Sequence, residues 1–580
     1  MTTTTMRNRS GRPRPAAACA PTLLALALLA GCGGGGGNPN YALLGLLRPT
    51  EPGTPAPAPA PAPSPEARCA DMVGQHGLAG TTLKTRYVAA GTRRPGTATT
   101  GDFLGGHCVV TGSIDPRTGV DGKPYAIGFE LSLPDDWNGR FLYLGGGGND
   151  GTLRDTSLSS SISIGTPSPL GQGYAVVSTN AGHEGTSASF GADPQARIDH
   201  AYNAHDKTAQ AAKALITWRY GKAAHHAYFS GCSGGGRQGM MFSQRFPDYF
   251  DGITAGAPAM RVSSGATIAA MWNNRKFTDI APVGGDGKPV LSQAFSNTDL
   301  NLVADAVLAA CDAGDGAVDG LVQNTRACRF DPAVLQCAGT KNDSCISAAQ
   351  VHALKDVFGG PKDSAGKALY VTQPWDPGIR DAGWRAWTLG TSTTGTPNSR
   401  YNVLMVDALV NEFFTPPDPA FNPLAFNFDT DPARMQAFSA VYDTYRDDQL
   451  TAFKARGGKL MFIHGMADPI FSADEVVEYY ERLAANHGGI AATQGFARTF
   501  LVPGMAHCSG GPATDTTDSL QAMVDWVEKG IAPDTLAARA SATNAYFPNR
   551  TRPLCPYPKF AKYKGSGSIE EAASFSCEAS

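Results

Sequence analysis

Charge is sparse in this chain of 580 residues: Asp, Glu, Lys and Arg make up 17% of it, and the formal net charge is −3. No clustered basic residues accompany that balance, so nothing in the charge pattern points to nucleic acid or an anionic membrane surface as a partner. Long apolar runs are missing too. The stretch from Leu23 to Ala30 is too short to cross a bilayer, and no later segment is apolar enough to do so. No CxxC pair or Cys/His cluster has the spacing of a zinc site. What remains, with 42% hydrophobic residues, is the composition of a globular protein. The length suits one large core with an insertion, or two domains.

The first 32 residues read as a targeting segment. Arg7, Arg9, Arg12 and Arg14 precede the short apolar stretch, which ends in Leu29-Ala30-Gly31-Cys32. That ending resembles a bacterial lipobox, with Cys32 as the acylated residue; the alternative is a plain secretory cleavage nearby. Either way the chain is expected to leave the cytoplasm. The expected location is the outer membrane or periplasm of a Gram-negative cell, with the membrane reached only through a lipid on Cys32, or otherwise the secreted fraction. Residues 33–65 are Gly-rich and then alternate Pro with Ala, the composition of a semi-rigid spacer. Export bears on the cysteines. Of twelve, removing Cys19 and Cys32 leaves ten, an even number that fits five disulfides in an oxidising compartment. Spacing alone leaves their connectivity open.

From residue 66 onward, short apolar runs alternate with helical stretches. Phe141 to Leu144, Tyr174 to Ser178, Ala227 to Phe229, Leu460 to Ile463 and Thr499 to Val502 read as strands. Tyr202 to Tyr220, the stretch up to Phe246, Ala473 to Ala485 and Asp518 to Lys529 read as helices. This rhythm predicts an α/β fold, a mostly parallel sheet with helices on both faces. Residues 66–258 and 459–580 form the expected catalytic domain. Between them, 259–458 lose the rhythm and are rich in Gly, Pro and Asn, which predicts an inserted lid domain.

Gly231-Cys232-Ser233-Gly234-Gly235 is a G-x-S-x-G between a short strand and a helix. That is where a nucleophile elbow must sit, with the helix N-terminus offering N–H groups to a developing oxyanion. A serine hydroxyl needs a base, and the base an orienting acid. Asp468 and His507 each follow a strand, in the order Ser, Asp, His of the α/β-hydrolases. His107, His183 and His464 compete for the base and read better as structural residues. Gly145 to Gly148 follow the first strand of the rhythm and suit a second oxyanion donor, so Gly146 and Gly234 are the expected pair. Cys232 precedes Ser233, and Cys508 follows His507. If Ser233 and His507 meet, these cysteines come within disulfide range. In the insertion, Asp312, Asp315 and Asp319 lie within eight residues, with Gly turns between them. Their carboxylates, with the carbonyls of Ala317 and Leu321, suit a hard cation as well as they suit a solvated acidic turn.

Taken together, the Cys-Ser, Asp and His-Cys motifs resemble the tannase and feruloyl esterase family, and the likeness runs through the whole chain after the linker. The resemblance implies an α/β-hydrolase core with an inserted lid, serine carboxylic-ester hydrolysis and no organic cofactor. It implies calcium on the Cys311 to Leu321 loop, and bridges Cys69–Cys108, Cys311–Cys328, Cys337–Cys345 and Cys555–Cys577 beside Cys232–Cys508. Gly383-Trp384-Arg385-Ala386-Trp387, Phe414-Thr415-Pro416-Pro417 and Tyr563-Lys564-Gly565-Ser566-Gly567 look most similar to members that cleave an aromatic monoester bearing a free carboxylate. By that likeness Arg385 holds the carboxylate and Phe471 meets the ring. The chain departs from those members at Gly234, where they carry Glu, and between Leu389 and Arg400. Hydroxycinnamate or gallate esters are the alternative substrates, and a non-catalytic surface-binding lipoprotein is the alternative of another class.

Overall fold

The computed structural model describes residues 63–74, 79–93, 103–158 and 167–579. The expected signal segment, Cys32 and nearly all of the spacer lie outside them. Three strands that the apolar rhythm did not reveal come first: β1 (Thr81–Val88), β2 (His107–Thr118) and β3 (Pro124–Pro134). In β3 the alternate residues Tyr125, Ile127, Phe129, Leu131 and Leu133 are buried, the period of two that marks a strand with one face on a core.

Then follow β4 (Arg140–Leu144), β5 (Ala175–Thr179), α1 (Ala204–Tyr220), β6 (His226–Cys232), α2 (Gly234–Arg245) and β7 (Gly252–Gly256). The chain next leaves the sheet for the whole of 257–458. That stretch carries α3 (Thr267–Thr278), α4 (Asn297–Cys311), α5 (Ala348–Phe358), α6 (Ala382–Thr388) and α7 (Pro432–Tyr442). It returns through β8 (Lys459–Gly465), α8 (Ala473–Asn486), β9 (Ala497–Val502) and α9 (Ser519–Lys529).

The nine strands form one sheet in the order β1-β2-β3-β5-β4-β6-β7-β8-β9. From β5 to β9 all neighbours are parallel, while β1, β2 and β3 run antiparallel to their partners. The strands β5, β6 and β7 are almost wholly buried, as expected of parallel strands covered on both faces. Alternate side chains of β4 show the two layers. Phe141 and Tyr143 join the core under α1, α2 and α8, with Leu215, Phe242 and Leu483. Leu142 and Leu144 join the opposite core, with Met523 and Trp526 of α9. This is the expected α/β-hydrolase architecture. Because β6, β8 and β9 are parallel, the loops that follow them leave the sheet at the same edge.

Five disulfides close: Cys69–Cys108, Cys232–Cys508, Cys311–Cys328, Cys337–Cys345 and Cys555–Cys577. They mark a chain that matures in an oxidising compartment, outside the cytoplasm. No helix among the described residues is long and apolar enough to cross a membrane.

Helix α2 also grips the lid. Arg237 is fully buried and donates to the carbonyls of Ala201 at 2.8 Å, His200 at 3.0 Å and Tyr442 at 3.4 Å. Its guanidinium lies 3.8 Å from the centre of the Tyr442 ring. Gln244 and Arg245 add bonds to the carbonyls of Thr444 and Val441, at 2.7 and 3.0 Å. Arg237→Met leaves buried carbonyls unpaired, and each charge-assisted bond lost is worth about 1.5–3 kcal/mol. The variant is expected to unfold about 2–4 kcal/mol more easily in urea. An unchanged midpoint would mean that the lid is held by its other contacts alone.

Candidate active site

The turn after β6 is forced by close approach. Ser233 sits at φ 66° and ψ −123°, at the N-terminus of α2, a conformation that costs a non-glycine residue about 1–3 kcal/mol. Its N–H donates to Gly256 O at 3.0 Å, and its carbonyl accepts from Arg237 N at 3.0 Å and Ala259 N at 3.2 Å. The flanking glycines are obligatory here. A Cβ on Gly231 would lie 2.8 Å from the Gly235 backbone, and one on Gly235 would lie 2.7 Å from Gly146 O. The hydroxyl is thus lifted off the sheet edge, while the Gly234 N–H begins the helix with no acceptor among the described residues.

The acid and base loops are laced together. Met466 N donates to Val502 O and Ala467 N to Met505 O, both at 3.0 Å. Asp468 is buried, and its Oδ1 accepts from the N–H groups of Ile470 at 2.9 Å and Phe471 at 3.1 Å. Its Oδ2 meets His507 Nδ1 at 2.7 Å. Burial alone would raise the Asp468 carboxyl; the His507 charge and hydrogen bond outweigh it and hold the group below the usual carboxylate range. With Nδ1 directed at the carboxylate, Nε2 is left to act as base. The Ser233 hydroxyl has no partner among the described residues, and in free enzymes this contact often tightens only with substrate. The bridge Cys232–Cys508 holds the neighbouring backbones at a Cα separation of 6.0 Å.

The rival histidines are employed elsewhere. His107 Nδ1 lies 2.9 Å from Gly105 O. His183 stacks on Phe190 at 3.9 Å, and burial pushes it down to about 3. His464 is buried, kept below its usual range by that burial, and its Nε2 lies 2.7 Å from Phe471 O.

One expectation is corrected. The Gly146 N–H is not free: it donates at 3.0 Å to Gln238 Oε1, whose amide nitrogen is in turn anchored at 2.8 Å on Asp150. Gly147 instead faces the nucleophile turn, its Cα 3.4 Å from where a Gly234 Cβ would stand, and its N–H has no acceptor among the described residues. Arg385 engages the lid backbone. Nη1 donates to Phe295 O at 3.0 Å and Nη2 to Ser292 O, both in the lid.

Phe471 stands beside His507, ring centres 5.4 Å apart. Trp387 packs edge-on against His507 at 5.1 Å, and the exposed Arg400 lies over Trp387 at 5.2 Å. Arg400 has no ion-pair or hydrogen-bond partner among the described residues. Gln238, Trp387 and Arg400 were not singled out from sequence. Trp387 lay inside a motif quoted for likeness; nothing distinguished Arg400 from any other arginine.

In the lid, Asp312, Asp315 and Asp319 are all buried. Asp312 accepts from the N–H groups of Asp319 and Gly320, and Asp319 pairs with Arg552. Among the described residues Asp315 Oδ2 is buried without a partner, and the carbonyls of Ala317 and Leu321 accept no hydrogen bond. Burial first, then the charges of Asp319 and Asp312, push Asp315 up to about 7. An orphaned carboxylate oxygen beside further oxygen donors fits a hard cation. Elsewhere, His225, His226 and Glu528 bring ligand atoms within 4.8 Å of one another. There the carboxylate already accepts from Arg140 twice and from Tyr228, each at 2.7 Å.

Comparison with known proteins shows what the chain is similar to. The sequence profile described as "Tannase and feruloyl esterase" matches residues 108–578. The chain is 44% identical over 519 residues to the mono(2-hydroxyethyl) terephthalate hydrolase of Piscinibacter sakaiensis, covering 82% of this chain and 85% of that protein. It is 31% identical to a probable feruloyl esterase of Arthroderma benhamiae, over 79% and 83% of the two chains. The crystal structure of feruloyl esterase B from Aspergillus oryzae superposes with a TM-score of 0.74 at 26% identity, covering 89% of this chain and all of that one.

Ser233→Ala, Asp468→Ala and His507→Ala are each expected to lose at least a hundredfold in ester turnover. A fluorophosphonate should label Ser233 in the parent protein alone. Near-parental turnover of Asp468→Ala would reassign the acid.

Proposed function

The chain belongs to the tannase and feruloyl esterase family, and from that premise we propose that it hydrolyses an aromatic acid monoester, with mono(2-hydroxyethyl) terephthalate as its leading substrate. The observation that carries the chemistry is the 2.7 Å contact between Asp468 Oδ2 and His507 Nδ1, with Cys232, next to Ser233, bridged to Cys508 of the same loop. His507 Nε2 takes the hydroxyl proton as Ser233 Oγ attacks the ester carbonyl. The N–H groups of Gly234 and Gly147 receive the oxyanion. His507 then protonates the leaving alcohol, ethylene glycol from the terephthalate ester, and the acyl group stays on Ser233. Water, deprotonated by His507, releases the acid.

The aromatic ring has Phe471 and Trp387 to lie against. The free carboxylate para to the scissile ester needs a cation, and Arg400 is the candidate because its guanidinium has no competing acceptor. A guanidinium meets a carboxylate through two parallel hydrogen bonds. The 44% identity to the terephthalate monoester hydrolase favours this substrate over hydroxycinnamate or gallate esters.

Calcium fits the lid loop, held by Asp312, Asp315 and Asp319 with the carbonyls of Ala317 and Leu321. A bound cation there neutralises buried carboxylates and takes no part in the chemistry. Acylation of Cys32 would hold the enzyme at a membrane surface by its spacer.

Arg400→Ala is expected to lose about 1.5–3 kcal/mol of transition-state stabilisation toward the monoester, the range for hydrogen bonds to a charged group. Toward the methyl-capped diester it should lose little. Arg385→Ala should weaken both substrates alike and lower Tm. Measuring kcat/KM for both esters in both variants decides between them; equal losses in Arg400→Ala would remove it from carboxylate binding. Methyl ferulate and methyl gallate turned over faster than the terephthalate monoester would move the substrate to the alternative class.

After treatment with chelator, added calcium should raise Tm, and Asp315→Ala should abolish the rise. No rise in the parent protein would remove calcium from the lid loop.

A further inference from the structure

One lid turn touches both of the loops that carry the acid and the base. Asp376, just before a 3₁₀ turn over Pro377–Arg380, is 2% exposed and has no cation partner among the described residues. Its Oδ1 accepts from Gly378 N at 2.7 Å, the bond that caps its own turn. Its Oδ2 accepts from Gly504 N at 3.0 Å, 128 residues away and three before His507. Gly378 is wedged beside it. A Cβ there would lie 2.3 Å from Ala467 Cβ and 2.8 Å from Gly504 O. The turn therefore touches the loop of the acid and the loop of the base at once. Gly504 itself sits at φ +73°, where a Cβ would lie 1.9 Å from Pro512 O, so the base loop has a backbone conformation that few residues can adopt.

Capping the short turn requires only one acceptor, and a serine hydroxyl would serve as well as a carboxylate. Among the described residues the second oxygen has one partner, the backbone of the base loop. A carboxylate buried without a cation is costly, which makes its presence here informative. Resting on the serine-hydrolase reading above, we propose that Asp376 is a positioning residue for His507: by holding Gly504 N–H it keeps the base loop, and so the imidazole, in register with Asp468 and Ser233. The lid would then act on the chemical step as well as on substrate binding.

Asp376→Ser keeps the cap and loses the reach to Gly504. It is expected to melt near the parent temperature, to lose about tenfold or more in kcat, since a displacement of about 1 Å at a reacting group can cost a hundredfold, and to keep KM within about twofold. The far-downfield proton resonance of His507 Nδ1–H should shift or broaden, a change that a purely structural role would not produce. Asp376→Asn, isosteric and with one acceptor left, should lie between. Wild-type kcat with an unmoved resonance in both variants overturns the proposal. So does a raised KM at unchanged kcat, or unfolding of both variants, since the carboxylate would then serve the substrate or the lid fold. Ser233→Ala is measured alongside: if it retains activity, the serine-hydrolase reading fails on its own, whatever Asp376 does.

Discussion

The bond between Cys232 and Cys508 sets the geometry on which catalysis turns. Strands β6 and β9 are three positions apart in the sheet. At about 4.8 Å per strand, that spacing alone would leave their ends some 14 Å apart. The bridge brings the residue before the nucleophile and the residue after the base to a Cα separation of 6.0 Å, across 276 residues of sequence. Both loops adopt left-handed backbone at this junction, Ser233 at φ 66° and Cys508 at φ 68°. Such conformations persist only where the surroundings over-determine them. Here the surroundings are the covalent link, the glycine contacts of Gly231 and Gly235, and the backbone bonds that lace the loops of Asp468 and His507.

The same junction explains why the acid can stay ionised in a dry place. Asp468 accepts two backbone N–H bonds on one oxygen and the imidazole on the other. Those partners offset the desolvation that would otherwise protonate it. His464, buried 3.6 Å from the same carboxylate, competes less well because its Nε2 is committed to Phe471 O. Two histidines lie near one aspartate, and the carbonyl beside one of them decides which serves as base.

Much of the catalytic half was legible before any coordinates, for physical reasons. Parallel strands buried on both faces are short apolar runs, as β4, β5, β6, β8 and β9 are, and the loops after β6, β8 and β9 then had to share an edge; β7, Gly-Ile-Thr-Ala-Gly, has too few large apolar residues to stand out. The antiparallel strands β1 to β3 escaped because their alternation mixes apolar residues with Thr, Arg, Glu and Ser, which an eye set for continuous runs passes over. Gly146 was a reasonable oxyanion donor from composition. Its N–H is withdrawn by Gln238, a residue one turn into α2 whose reach depends on a tertiary contact with Asp150. Asp376 lies in the stretch where the rhythm disappears, and its importance comes from a partner 128 residues away.

The two lid arginines carry this furthest. Arg385 and Arg400 are chemically identical, and a likeness of neighbouring motifs favoured the first. What separates them is the direction of a few carbonyls. Those of Ser292 and Phe295 converge on Arg385, so its two terminal nitrogens already hold lid backbone. Three N–H donors remain, so a substrate carboxylate would meet a guanidinium whose orientation the lid backbone already sets. Arg400 rests on the face of Trp387, which stabilises the cation without occupying its hydrogen-bond donors. Trp387 in turn leans on His507. In the proposed reading Arg400, stacked on Trp387 and without a hydrogen-bond partner among the described residues, is the cation that meets the substrate's free carboxylate. Substrate choice in this lid follows from which polar groups the fold leaves unpaired.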